Sequence, residues 1–195
     1  MALWIPRLEW NEKTEAGDAS IGSPTIINMA DTSDLVIGMI CTGTGIPTGA
    51  KIASKTASSV TLDSNATANT TGATYTFFWR YDFEFPPVKD SEFVYKPKNA
   101  VAASLSGLQQ VQTLHLEAER DMEFWFVNQT DADLLRDNFY LYAYKGNSFR
   151  YFPDKDEVPV YTVELNKYEF KRIRQVKKHP NFKYSLGFSI RYVVE

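Results

Sequence analysis

The sequence predicts a mainly β protein: a β-sandwich or split barrel with one packed α-helix, plus an inserted small all-β module. Three observations lead there. Residues 111–126 alternate apolar and acidic side chains with the period of a strand. A helical pattern with start and stop signals occurs over 131–145. Residues 13–78 differ from the rest in composition: 36 of these 66 residues are Gly, Ala, Ser or Thr, and only Tyr75, Phe77 and Phe78 are aromatic. The other 129 residues hold 25 of the 28 aromatics. A shift that sharp at both ends reads as a module, 13–78, set into a discontinuous host domain, 1–12 and 79–195.

The elements of the module follow from short apolar runs separated by turn residues. Pro24-Thr-Ile-Ile-Asn reads as a strand, and Asp34-Leu-Val-Ile-Gly leads through a turn to Met39-Ile-Cys. Gly43-Thr-Gly-Ile-Pro-Thr-Gly is a compact turn in which glycine can take positive φ. Lys51-Ile-Ala-Ser-Lys, Ser59-Val-Thr-Leu-Asp and Thr74-Tyr-Thr-Phe-Phe supply further strands. The regular spacing of Ile and Val argues for a folded module over a flexible linker.

In the host domain, Phe83-Glu-Phe is expected to end as a strand at Pro86, and Phe93-Val-Tyr before Pro97. The strand over 111–126 puts Leu116, Ala118, Met122 and Phe124 on one face and Glu117, Glu119, Asp121 and Glu123 on the other. For the helix, Thr130 or Asp131 can cap its start, and Gly146 can end it in the left-handed conformation. Ser148–Phe152 and Val160–Leu165 read as paired strands around a turn at Pro153. Tyr168–Val176 continues as a strand, and Tyr184–Val194 alternates as the terminal one.

Composition narrows the function. With 44% hydrophobic and 14% aromatic residues the chain has ample material for a core. No apolar run reaches the roughly 18–20 residues of a spanning helix, so membrane insertion is not expected, and no secretory signal is visible. Asn65-Ala-Thr and Asn69-Thr-Thr match the glycosylation pattern but lack that context. Cys41 stands alone, which excludes an internal disulfide or a cysteine-only metal centre. His115, Glu117 and Glu119, on alternate residues of one strand, are the best available metal or acid/base set, and no second element offers obvious ligands. Ser104-Leu-Ser-Gly lacks the pattern of a nucleophile elbow. Neither an enzyme nor a cofactor is expected. Lys167, Lys171, Arg172, Arg174, Lys177 and Lys178 could meet nucleic acid, but the net charge is −3. Lys171, Arg172, Arg174 and Lys177 fit a contact with acidic residues of a neighbouring subunit at least as well.

Two stretches resemble phage proteins. Leu35-Val-Ile-Gly38-Met39-Ile-Cys-Thr-Gly43-Thr-Gly45-Ile46-Pro47-Thr-Gly49, followed by Val60-Thr-Leu-Asp, resembles a module repeated among phage and prophage structural proteins. The host domain offers Ser104-Leu-Ser-Gly-Leu-Gln-Gln, Glu117-Ala-Glu-Arg-Asp-Met-Glu-Phe, Gly146-Asn-Ser-Phe-Arg-Tyr-Phe-Pro-Asp-Lys and Phe188-Ser-Ile-Arg-Tyr-Val-Val in that order. This order is similar to small tail proteins of tailed bacteriophages, most of all distal tail proteins with a tail-tube fold.

The resemblance implies a structural virion protein of the tail, assembled in the host cytoplasm. It implies a ring of this chain, a hexamer, joining the tail tube protein to tail-tip and hub proteins around a channel for DNA ejection. Glu117, Glu119, Asp121 and Glu123 would then line the channel and repel passing phosphates. The alternatives are a head-proximal tail completion or connector protein, and a carbohydrate-binding host-attachment module. The insertion has almost none of the exposed aromatics on which sugars stack.

Overall fold

The computed structural model describes residues 5–90, 94–103, 109–126, 129–156, 160–169 and 184–194. The protein is mainly β: among the described residues there is a single helix, and strands make up 50% of the chain. Every strand pairing with an assigned register is antiparallel. The chain divides into two compact units, Leu8–Tyr81 and Met1–Arg7 with Asp82–Glu195. The first extends beyond the 13–78 stretch of altered composition because two 13-residue strands, β1 (Arg7–Ala19) and β6 (Thr70–Asp82), run through both of its boundaries.

In the Leu8–Tyr81 unit, β1 pairs with β2 (Thr25–Ile27), β2 with β5 (Val60–Leu62), and β5 with β4 (Ile52–Lys55). β6 pairs with β1 and with β3 (Ile40–Thr42). The core is assembled from the short apolar runs: Leu35, Met39, Cys41, Ile52, Val60, Tyr75 and Phe77 are all buried. Leu35–Gly38 belongs to turns that deliver Met39 to this core, where its sulfur accepts the backbone N–H of Val36 at 3.3 Å.

In the other unit, the strands run β10 (Phe149–Phe152), β11 (Tyr161–Glu169), β12 (Tyr184–Val194), β9 (Gln109–Phe126). β7 (Lys89–Asp90) and β8 (Val94–Ala103) both pair with the far side of β9. The helix follows β9 and packs on β9, β12 and β11. It buries Leu135 and Phe139; Phe139 meets Phe149 edge-on at 4.8 Å and Phe188 at 5.9 Å. Phe83 stacks on Phe124 at 3.8 Å, so the core continues across β9. Each such aromatic contributes several kcal/mol, since removing one costs about 3–5 kcal/mol.

Three expectations need correction. The helix begins at Gln129, so Thr130 and Asp131 lie inside its first turn and do not cap it. Its middle, Leu135–Tyr140, is π-helical between α1 (Gln129–Leu134) and α2 (Leu141–Tyr144); Gly146 follows with φ +81°. Strand β8 runs through Pro97, opposite Leu116. A proline is tolerated there because, among the described residues, β8 pairs on one side only. Phe83-Glu-Phe is not a strand: β6 ends at Asp82, and two prolines follow at 86 and 87. Tyr168 and Glu169 complete β11; the remainder of the expected strand to Val176 lies outside the described residues. Among the described residues, no helix is long and apolar enough to cross a membrane.

Candidate functional site

The acidic strand face is built by register. β9 lies between β12 and β8, with Arg191 and Val94 both opposite Glu119, and Lys96 opposite Glu117. On β11, Glu164 is opposite Arg191. The row Glu119–Arg191–Glu164 therefore alternates acid and base across three strands, and Lys96 opposite Glu117 makes a pair in the next row, the arrangement in which cross-strand pairs stabilise a sheet. Lys96 bonds the Glu119 carboxylate, which raises the lysine's pKa above its usual range. Arg191 reaches Glu164 at 3.2 Å and Glu117 at 3.9 Å.

This differs from an evenly solvated row of like charges without compensation. Glu117 is buried, Glu119 and Glu123 are half-buried, and Asp121 is exposed. On the neighbouring strand, Ser185 and Ser189 of the same face are also buried. Glu123 accepts the indole N–H of Trp125 at 3.1 Å. Alternation along β9 identifies the face, but the compensating bases arrive from β8 and β12. By register, Glu117, Glu119, Asp121, Glu123, Glu164 and Glu169 share this face with Lys89, Lys96, Lys98, Lys167 and Arg191, so among the described residues its charge is nearly balanced.

Lys171, Arg172, Arg174 and Lys177 lie outside the described residues, as does His179. His115 is placed on β9 opposite Lys98, and its side chain lies outside those described. Among the described residues, no group of three His, Cys, Asp or Glu could hold a metal. Cys41 is fully buried and burial pushes its thiol up to about 12, so it is a packing residue with almost no thiolate.

The glycine-rich motif is a folding device. Gly38 has φ +96° and lies so close to the Trp79 ring that a Cβ would come within 3.0 Å of it. Gly45, at φ +76°, is as close to Ala68. Gly49 has φ +83° in an open turn. Asp63 secures the next strand by accepting the Lys51 N–H at 2.9 Å.

Sequence reasoning missed β1 and its partners. Buried Glu9 is held by Arg80 at 2.8 Å, and Arg80 also lies 5.3 Å from the Phe78 ring centroid. Trp10 stacks on Trp79 at 6.3 Å. Arg7 pairs with Asp82 and lies over the Phe152 ring. A second missed group is a tyrosine row on the opposite face of β9. Tyr95 and Tyr192 flank Ala118, and the Tyr161 ring lies tilted beside Tyr192, centroids 5.2 Å apart. Burial, and then the hydrogen bond with Tyr95, pushes the Tyr192 hydroxyl up to about 12.

No protein-family model matches the chain, and no curated protein or solved structure is significantly similar to it.

Proposed function

We propose that the protein is a structural component of a bacteriophage tail, a distal tail or tail-tip adaptor that forms a hexameric ring around a DNA channel. The observation that carries this reading is where the resembling motifs fall. Glu117–Phe124 occupies the long strand β9, Gly146–Phe152 leads from the helix into β10, and Phe188–Val194 forms the end of β12. These three motifs thus fall on packed elements of one unit, while Ser104-Leu-Ser-Gly-Leu lies outside the described residues. In this ring the β9 carboxylates Glu117, Glu119, Asp121 and Glu123 are the groups that keep phosphates at a distance by like charge, with Lys96 and Arg191 offsetting part of it. In this assembly the partners are further copies of the chain, the tail tube protein and tail-tip or hub proteins.

Electron microscopy of particles carrying a labelled copy of the chain tests the reading. Label encircling the tail at its distal end is the expected result. Label confined to the capsid or its neck overturns the distal assignment, and unlabelled particles overturn the virion role.

A further inference from the structure

Tyrosine is concentrated on one face of the sheet that runs from β10 to β8. Tyr95 on β8 and Tyr192 on β12 both lie opposite Ala118 of β9. On β11, Glu164 stands opposite Arg191 and Leu165 opposite Ile190, which puts Tyr161 on the same face as Tyr192 and diagonally along the strand from it. Tyr151 of β10 stands opposite Tyr161. Four of the chain's eleven tyrosines thus share one face.

These rings are held together without being sealed from solvent. Tyr161 and Tyr192 lie with centroids 5.2 Å apart and planes inclined by 39°. Diagonal neighbours on adjacent strands are within reach of aromatic side chains. The separation is near the short limit of the roughly 4.5–7 Å found for packed rings. Both side chains are half-buried, so the sheet fixes their directions while part of each ring stays open to small reagents. Between β8 and β12, β9 contributes only the Ala118 methyl, and the Tyr95 and Tyr192 hydroxyls share a hydrogen bond above it. The Tyr95 ring is 58% exposed. An exposed phenol, a hydroxyl-to-hydroxyl bond and a close ring pair therefore follow one another across the face.

We propose that Tyr161 and Tyr192 form an oxidative crosslinking site, at which a haem peroxidase using hydrogen peroxide staples β11 to β12 through a dityrosine bond. Each phenol gives up one electron and its hydroxyl proton, leaving a radical shared by the ring carbons beside the oxygen. The two unpaired electrons form a bond between one such carbon of each ring. The hydrogens on those carbons leave as protons, and solvent protons restore both hydroxyls. Two hydrogens leave the protein in all, and one peroxide takes them up to become two waters. The rings of a biaryl are themselves twisted, so the 39° inclination is kept and only a small further approach is needed. Tyr95 is the point of entry: its radical takes the hydrogen atom of the Tyr192 hydroxyl across their shared bond and returns to a phenol. Holding the pair in place makes coupling unimolecular, which favours it over coupling between molecules. The competing geometry within the chain, Tyr140 and Tyr144 on the helix, is wider at 5.8 Å.

The test treats the full chain with a haem peroxidase and limiting hydrogen peroxide, and follows dityrosine fluorescence. A tryptic digest of the product should contain residues 156–167 joined to residues 192–195, two hydrogens lighter than the two peptides together. The yield per chain should survive dilution, and denaturing electrophoresis should show the product at the mass of one chain. Tyr161→Phe and Tyr192→Phe, each checked for folding by thermal melting, should lose this peptide pair. Tyr95→Phe should slow its appearance several-fold without moving the link, and an unchanged rate overturns the entry step. The bond closes a loop from residue 161 to residue 192, so the crosslinked chain should melt at a higher temperature. An unchanged melt overturns its action as a staple. The wild-type peptide map decides the site without any variant. Absence of dityrosine, a loss of two hydrogens confined to residues 137–145, or links only between chains overturns the proposal.

Discussion

Asp18 ties three segments of the Leu8–Tyr81 unit together. Its carboxylate accepts the Asn28 amide at 2.6 Å and the Gly72 backbone N–H at 2.7 Å, so the ends of β1 and β2 and the start of β6 meet at one side chain. The Asn28 hydrogen bond, and then the Gly72 N–H, hold its pKa below the ordinary aspartate value of 3.8. The unfolded chain therefore takes up this proton first as pH falls, and the contribution present above the ordinary value is lost on passing down through the lowered one. Acid melts of wild type should lose stability below about pH 4. Asp18→Asn should start less stable at neutral pH and lose less between pH 4 and 2; identical acid profiles count against the role. Tyr192 works in the opposite direction. Its folded pKa of about 12 lies above the ordinary tyrosine value of 10.0, so stability is present below that value and falls as pH rises towards 12. Tyr95→Phe removes one cause of the shift and should move the last-titrating tyrosine to lower pH in an absorbance titration. At this scale the sequence was only partly legible. The acids of β9 are visible as a pattern, but Arg191, which approaches buried Glu117, comes from a strand far along the chain.

At the scale of elements, the balance is between local pattern and the backbone exceptions that interrupt it. β9 could be read because, apart from Arg120 and Trp125, it alternates over thirteen residues. β1 is as long as β6 but was hidden. Asn11 has φ +55°, and the buried positions change from Leu8 and Trp10 before it to Gly17 and Ala19 after it. A single left-handed residue thus reverses the parity on which a period-2 reading depends. The same conformational argument gives a graded prediction for the glycine motif. Gly38→Ala combines positive φ with a close approach to Trp79 and should cost about 2–3 kcal/mol in denaturant unfolding. Gly49→Ala has positive φ and open space, so about 1 kcal/mol is expected. Equal costs contradict the contribution assigned to the Trp79 contact. The helix was legible in place and face, through Leu135, Phe139 and Gly146, while its π-helical middle leaves no mark in the apolar spacing. Phe139→Ala should lower stability by about 3–5 kcal/mol, because the side chain is buried among Phe149 and Phe188.

For the whole molecule, composition revealed that the chain is not uniform, and topology explains where its parts join. β1 and β6 run antiparallel, as the Arg7–Asp82 and Glu9–Arg80 pairs and the Trp10–Trp79 stack require. Glu12 and Phe78 lie two residues and one residue beyond the Trp10–Trp79 stack on these paired strands. Deleting residues 13–77 with an Asn-Gly join should leave a chain that unfolds cooperatively; a broad, non-cooperative melt counts against independent folding of the remainder. The proposed function rests on resembling motifs alone, since a surface for assembly would carry no catalytic pattern for spacing to reveal. Assembly is the central claim, and the native mass of the purified full-length chain tests it most directly. A discrete hexamer, persisting on dilution and closed rather than open-ended, is the predicted result. A monomer at every concentration, or a continuous ladder of masses without a closed species, contradicts it.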